Sequence, residues 1–249
     1  MGSHESLSRR AFARAAALGA LPLPVLTERA LAQLSYPGDA PPDAVLLNAN
    51  ENPLGPCAEA LEAMSRALRA GGRYQFGETL RLARAAAQME DVPAECVQSF
   101  AGSSDPLHRV VLAFCGPGRA FVTADPGYEA GERAAAFVQA PVHRVPLTKD
   151  YAHDVEAMLR AAAREAGVFC ICNPNNPTGT LTPKAAIEQL VREKPPGSVV
   201  LVDEAYIHFC GAPSCMDMVR DGRDVFVLRT FSKVYGMAGL RAGLAFARP

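Results

Sequence analysis

The 249-residue sequence predicts an α/β fold, a three-layer α/β/α domain on a mainly parallel sheet. Two observations carry that prediction. Short stretches rich in Val, Ile, Leu and Phe recur, and each runs into polar or glycine-containing residues. Between them lie segments whose apolar residues fall at helical spacing, so strand and helix alternate along the chain.

In chain order, the first segment stands apart. "SRRAFARAAALGALPLPVLTERALAQ" opens on Arg9 and Arg10, passes through a modest apolar stretch and ends in Ala30-Leu31-Ala32. That layout resembles a twin-arginine export signal over residues 1–32, and Pro22 and Pro24 argue against a helix of the folded domain. The expected location is therefore periplasmic or otherwise exported, with a cytoplasmic one as the alternative. Residues 33–72 read as an extended Pro- and Asn-rich arm leading to a first helix, "EALEAMSRALRA". Residues 73–249 read as the main α/β domain. It starts with the helix "LRLARAAAQM", followed by a strand end, turn and helix in "FAGSSDPLHRVVLAFC". "AFVTADPGY", "GVFCICNPNNPTG", "SVVLVDEAY" and "DVFVLRTFSK" are the strands; "EAGERAAAF" and "PKAAIEQLVREK" are helices between them.

Composition sets bounds on function. With 49% hydrophobic and 20% charged residues the chain can bury a sizeable core. A formal net charge of -1 gives no electrostatic case for nucleic-acid binding, and residues 33–249 alone carry a net of -3. No uninterrupted apolar run is long enough to span a bilayer. The seven cysteines are odd in number and match neither a zinc-site spacing nor a small disulfide scaffold. Cys170 and Cys172 read as core thiols on one face of a strand, while a Cys210–Cys215 pairing stays open.

The polar residues converge. Tyr128, Asn176, Asp203 and the Ser232-Lys233 pair each follow on a predicted strand, and ligands of such sheets bind at the strands' carboxyl ends. Singly, each has an ordinary alternative: a helix cap, an Asn-Pro turn, a packed ring. Together, a carboxylate, a lysine and anion-binding elements on one rim fit pyridoxal 5'-phosphate. The lysine amine would join the aldehyde as a Schiff base. The carboxylate would keep the pyridine nitrogen protonated. "GSSDPLHRVV" offers the phosphate a small-residue turn opening a helix, and Arg241 a two-pronged contact.

Six motifs, in order from residue 47 to 243, carry a family resemblance: "LNANENPLGP", "AGSSDPL", "DPGYE", "NPNNPTG", "VDEAYIHF" and "RTFSKVYGMAGLRAG". The chain resembles fold-type I pyridoxal-phosphate aminotransferases, and within them the histidinol-phosphate branch. The resemblance implies that Lys233 is the Schiff-base lysine, Asp203 the partner of the ring nitrogen, and Tyr206 and Asn176 partners of the ring's phenolic oxygen. It implies that Tyr128 stacks on the ring and that Ser103, Ser104, Asp105, Ser232 and Arg241 hold the phosphate. Asn50 would contact the substrate, and Tyr74, in "GRYQFGE", would reach the phosphate of a neighbouring subunit, making a homodimer with shared sites. The partners implied are a small-molecule amino donor and a 2-oxo acid.

Two departures accompany the resemblance. Ser104-Asp105 is followed by Pro106, which removes one backbone donor from the phosphate loop. The sequence also stops at Pro249, before the smaller C-terminal domain that the resemblance implies would bind the substrate carboxylate. The expectation is weak cofactor binding and little transamination by these 249 residues alone. Three readings follow: an aminotransferase acting on an L-amino acid or histidinol phosphate, an amino-acid-phosphate decarboxylase of the same fold, and an inactive cofactor-binding fragment.

Overall fold

The computed structural model describes residues 41, 43–162 and 165–249. The expected export segment, residues 1–32, lies outside the described residues. Residues 43–57 run as irregular, mostly exposed chain into helix α1 (Ala58–Leu68), an amphipathic helix with no buried residue. Helix α2 (Phe76–Glu90) docks through small side chains, Ala83, Ala86 and Ala87.

From there strands and helices alternate. They are β1 (Val97–Phe100), α3 (Ser104–Phe114), β2 (Ala120–Asp125), α4 (Ala130–Phe137), β3 (Val142–Pro146) and α5 (Val155–Ala162). Then come β4 (Ala166–Cys172), α6 (Lys184–Glu193), β5 (Val199–Asp203), α7 (Met216–Arg220), β6 (Val225–Thr230) and β7 (Gly243–Phe246). The seven strands form one sheet in the order β1-β7-β6-β5-β4-β2-β3. Strands β3, β2, β4, β5 and β6 are parallel, whereas β7 runs against both of its neighbours, β6 and β1. The mainly parallel three-layer α/β/α fold is as the sequence predicts; β3, α5, α7 and β7 are elements that the sequence reading did not name.

Both faces of the sheet are covered, which explains the unbroken apolar runs. Every residue of β4 and β5 is buried. Side-chain alternation divides them into two cores. Phe169, Ile171, Val200 and Val202 pack with Met158 of α5 and Ile187 and Leu190 of α6. Val168, Cys170 and Leu201 pack on the opposite face with Leu107 and Val111 of α3 and Ala130 and Ala134 of α4. Cys170 and Cys172 are buried free thiols, and Cys210 and Cys215 are also free, with Cys210 Sγ 3.3 Å from the Ile207 carbonyl. Among the described residues no helix is long and apolar enough to cross a membrane.

Candidate functional site

The carboxyl ends of the parallel strands open into a cavity of about 660 Å³. Each wall comes from a different connection. Tyr128 follows β2, Asn176 follows β4, Asp203 ends β5 with Tyr206 just beyond, and Ser232 and Lys233 follow β6. Ser103 and Ser104 open α3 at one end of the cavity, and Arg241 enters from the loop between β6 and β7. Asn50 arrives from the arm. Of the residues singled out in the sequence, Asp105 and Tyr74 stand outside this lining. Asp105 turns along α3 to pair with Arg109 at 2.7 Å, and Tyr74 is 89% exposed, stacked on Phe76 at 5.4 Å.

The floor is polar and desolvated. Asp203 is 3% exposed, and burial pushes its carboxyl up to about 6; the Ala205 amide, 3.0 Å from Oδ1, and the nearby Lys233 cation oppose that rise. Lys233 sits beneath the arm with Nζ donating to the Asn50 carbonyl at 2.7 Å and lying 5.5 Å from the Tyr206 ring centroid. Burial lowers its pKa, while Asp203 and Glu51 pull it back up. The neutral amine is therefore more populated than on a surface lysine. Burial raises both phenols, Tyr128 to about 12, so each stays a hydrogen-bond donor at neutral pH. Tyr206 OH accepts from Asn50 Nδ2 at 3.0 Å, and Tyr128 OH lies 3.3 Å from Ser104 Oγ.

The other end collects hydrogen-bond donors and positive charge. The first-turn amides of α3 have no carbonyl four residues back to bond, and the helix dipole adds partial positive charge there. Pro106 sits in that same turn, so one of the potential donors is absent. Thr230 Oγ1 and Ser232 Oγ are 2.8 Å apart, and Arg241 Nη1 reaches Ser232 Oγ at 3.5 Å. Two glycines make this approach possible. A Cβ on Gly102 would lie 2.4 Å from Arg241 Nη2, and one on Gly243 would lie 2.5 Å from the Gly102 carbonyl carbon. Arg241 itself adopts φ 51, which turns its side chain back toward α3.

Some supports were not read from the sequence. Thr230, Cys172 and Glu51 also line the cavity; Cys172 is paired in register with Asp203, which places it at the floor rather than in the bulk core. The loop bearing Asn176 is held by Asn173, which exchanges bonds with Thr182 N and O at 2.8 and 3.2 Å. His153 Nδ1 lies 2.8 Å from Thr182 Oγ1 beneath that loop, and burial lowers its pKa to about 4. Behind Asp203, Arg229 is held by Glu204 at 2.8 Å, Glu90 at 3.1 Å and Ser214 at 3.0 Å. The signal for that cluster was present: a Glu and an Arg at the ends of otherwise apolar strands need each other.

The model of a family described as aminotransferase class I and II matches residues 42–249. The chain belongs to that family. Within the aminotransferases, it is 38% identical over 208 residues to the histidinol-phosphate aminotransferase of Symbiobacterium thermophilum, covering 83% of this chain and 57% of the relative. It is 36% identical over 214 residues to an aromatic amino acid aminotransferase of Rhodococcus jostii, covering 86% and 60%. Its fold matches the crystal structure of histidinol-phosphate aminotransferase from Sinorhizobium meliloti in complex with pyridoxal-5'-phosphate. That match has a TM-score of 0.74 and 28% identity, covering 81% of this chain and 55% of the other. The chain thus spans somewhat over half the length of the aminotransferases it matches.

Proposed function

We propose that this chain binds pyridoxal 5'-phosphate and belongs to an aminotransferase that moves an amino group between an L-amino acid or histidinol phosphate and a 2-oxo acid. The observation that carries the reading is a buried carboxylic acid and a half-buried lysine in one cavity whose far end is a helix N-terminus with two serines and an arginine. These residues fit the cofactor's chemistry. When bound, it supplies an aldehyde for an amine and a ring that accepts the electron pair of a broken substrate bond. Asp203, desolvated and raised to about 6, regains its charge opposite a ring-nitrogen cation. Lys233, shifted toward its neutral form, is the nucleophile for the aldehyde and a base on the same wall for a proton released there. Ser104, Ser232, Arg241 and the α3 amides hold the phosphate, and Asn176, Tyr206 and Tyr128 orient the ring.

The relatives support an amino-group transfer: both carry aminotransferase names, one for histidinol phosphate and one for aromatic amino acids. The decarboxylase reading has less support. A homodimer belongs to the proposal as well. Leu47, Leu54, Leu61, Leu68, Tyr74 and Phe76 are all at least half exposed along the arm, α1 and α2, an apolar surface suited to a second copy.

The test is borohydride reduction of the chain with added pyridoxal 5'-phosphate, followed by peptide mapping. The chain has four lysines, Lys149, Lys184, Lys194 and Lys233, and the label is expected on Lys233 alone. Lys233→Ala should bind no cofactor covalently. A label on another lysine, or on none, overturns the reading.

A further inference from the structure

We propose that Asn52 is a positioning residue for Lys233: it pins the arm to the loop that carries the lysine and so holds the Asn50 carbonyl at the lysine's amine. This rests on the reading that Lys233 is the reacting amine. Asn52 lies outside the cavity lining and its side-chain hydrogen bonds go to neither Lys233 nor Tyr206, yet three contacts meet at its turn. Leu54 N donates to Asn52 Oδ1 at 3.0 Å, which orients the side-chain amide. The same amide's Nδ2 then donates to the Val234 carbonyl at 3.1 Å, one residue past the lysine. Gly55 N donates to the Asn52 carbonyl at 3.1 Å and closes the turn.

The turn also meets the lysine's loop backbone to backbone. Gly236 has φ +68, and a Cβ there would lie 2.1 Å from the Gly55 carbonyl oxygen, so only glycine allows this approach. Two residues before Asn52, Asn50 makes two contacts in the cavity: its carbonyl accepts from Lys233 Nζ at 2.7 Å and its Nδ2 donates to Tyr206 OH at 3.0 Å. Apolar burial does not fix the arm here, since Leu47 and Leu54 are 86% and 89% exposed. The segment over Lys233 is held by polar and backbone contacts, and besides the lysine's own bond to Asn50 the Asn52 amide bridges the two loops.

The experiment is competitive acetylation of the cofactor-free chain with trace acetic anhydride, each lysine quantified by its peptide. Lys149 is exposed and serves as the reference, while Lys194, whose side chain is 7% exposed against Asp224, reports general loosening. Asn52→Ala is expected to raise Lys233 acetylation several-fold relative to Lys149 and leave Lys194 protected. Asn52→Asp keeps the acceptor for Leu54 but loses the donor toward Val234, and is expected to raise Lys233 acetylation likewise. Unchanged Lys233 acetylation in either variant overturns the proposal. A rise shared by Lys194 overturns it too, because that is loss of structure rather than of position. No cofactor is used, so these outcomes are separate from the borohydride test of function.

Discussion

The cavity floor and its cover are held in opposite ways. The floor is the ends of β4, β5 and β6, strands almost wholly buried, with Asp203 and Glu204 at 3% and 1% exposure. The cover is the arm, whose leucines face outward and whose hold on the cavity is a few hydrogen bonds and one glycine-to-glycine contact. A floor of this kind fixes the position of a carboxylate at the cost of desolvating it. Within one copy of the chain a cover of this kind costs little to displace, and a second copy seated on its leucines would add to its hold.

The sharpest way to break this contrast is at Glu204. Glu204→Ala leaves the buried Arg229 guanidinium with Glu90 as its one remaining carboxylate partner beside Ser214 and His208, and losing one partner of a buried pair costs about 3–5 kcal/mol. Urea unfolding should show that loss. A cost below about 1 kcal/mol would mean that Glu90 suffices for Arg229 and that the floor tolerates change as the cover does.

A smaller effect of opposite sign is expected at Asp203. The folded chain keeps the Asp203 proton up to about pH 6, whereas an unperturbed Asp releases it near 3.8. Between those values the folded state binds more protons than the unfolded one, so this group's contribution to stability falls as pH rises. Above pH 6 the buried charge costs on the order of 2–3 kcal/mol. Asp203→Asn should therefore melt above wild type at pH 7 without cofactor, with the gap closing toward pH 4. Equal melting at pH 7 would show that water reaches the carboxylate and that the floor is not dry.

The least effect on the single chain is expected at Leu61, half exposed on α1. Leu61→Glu should change unfolding free energy by no more than about 0.5 kcal/mol, as surface changes do. It should nonetheless weaken self-association measured by sedimentation. A large fall in stability with no change in association would make α1 part of this chain's own core.

How much of this was legible follows the same division. The central strands announced themselves because burial on both faces forces runs such as Val199–Val202, and polar residues after such runs must lie on the rim. Asp203, Lys233, Asn176 and Tyr128 were placed on that logic. Strand β3 was missed because it contains His143 and Arg144 and, among the described residues, pairs with β2 alone, which leaves much of it exposed. Strand β7 was missed because four residues between Arg241 and the chain's last residues carry too short a pattern. The contacts of the cover were illegible for a different reason. Asn52 meets Val234 across 182 positions, and neither residue's type announces the other.

Strand β7 has one more consequence, in the order of assembly. Among the described residues strand β1 meets the sheet only through β7, and β7 is reached only after β6. The α3 N-terminus that follows β1 is therefore set against Ser232 and Arg241 only once β6 and β7 have joined the sheet. Pairing across about 140 residues is slow because the intervening loop must close first. A phosphate ester added during refolding would thus find no complete site early on, and its stabilisation, which grows with ligand concentration over Kd, would register only once β6 and β7 are in place.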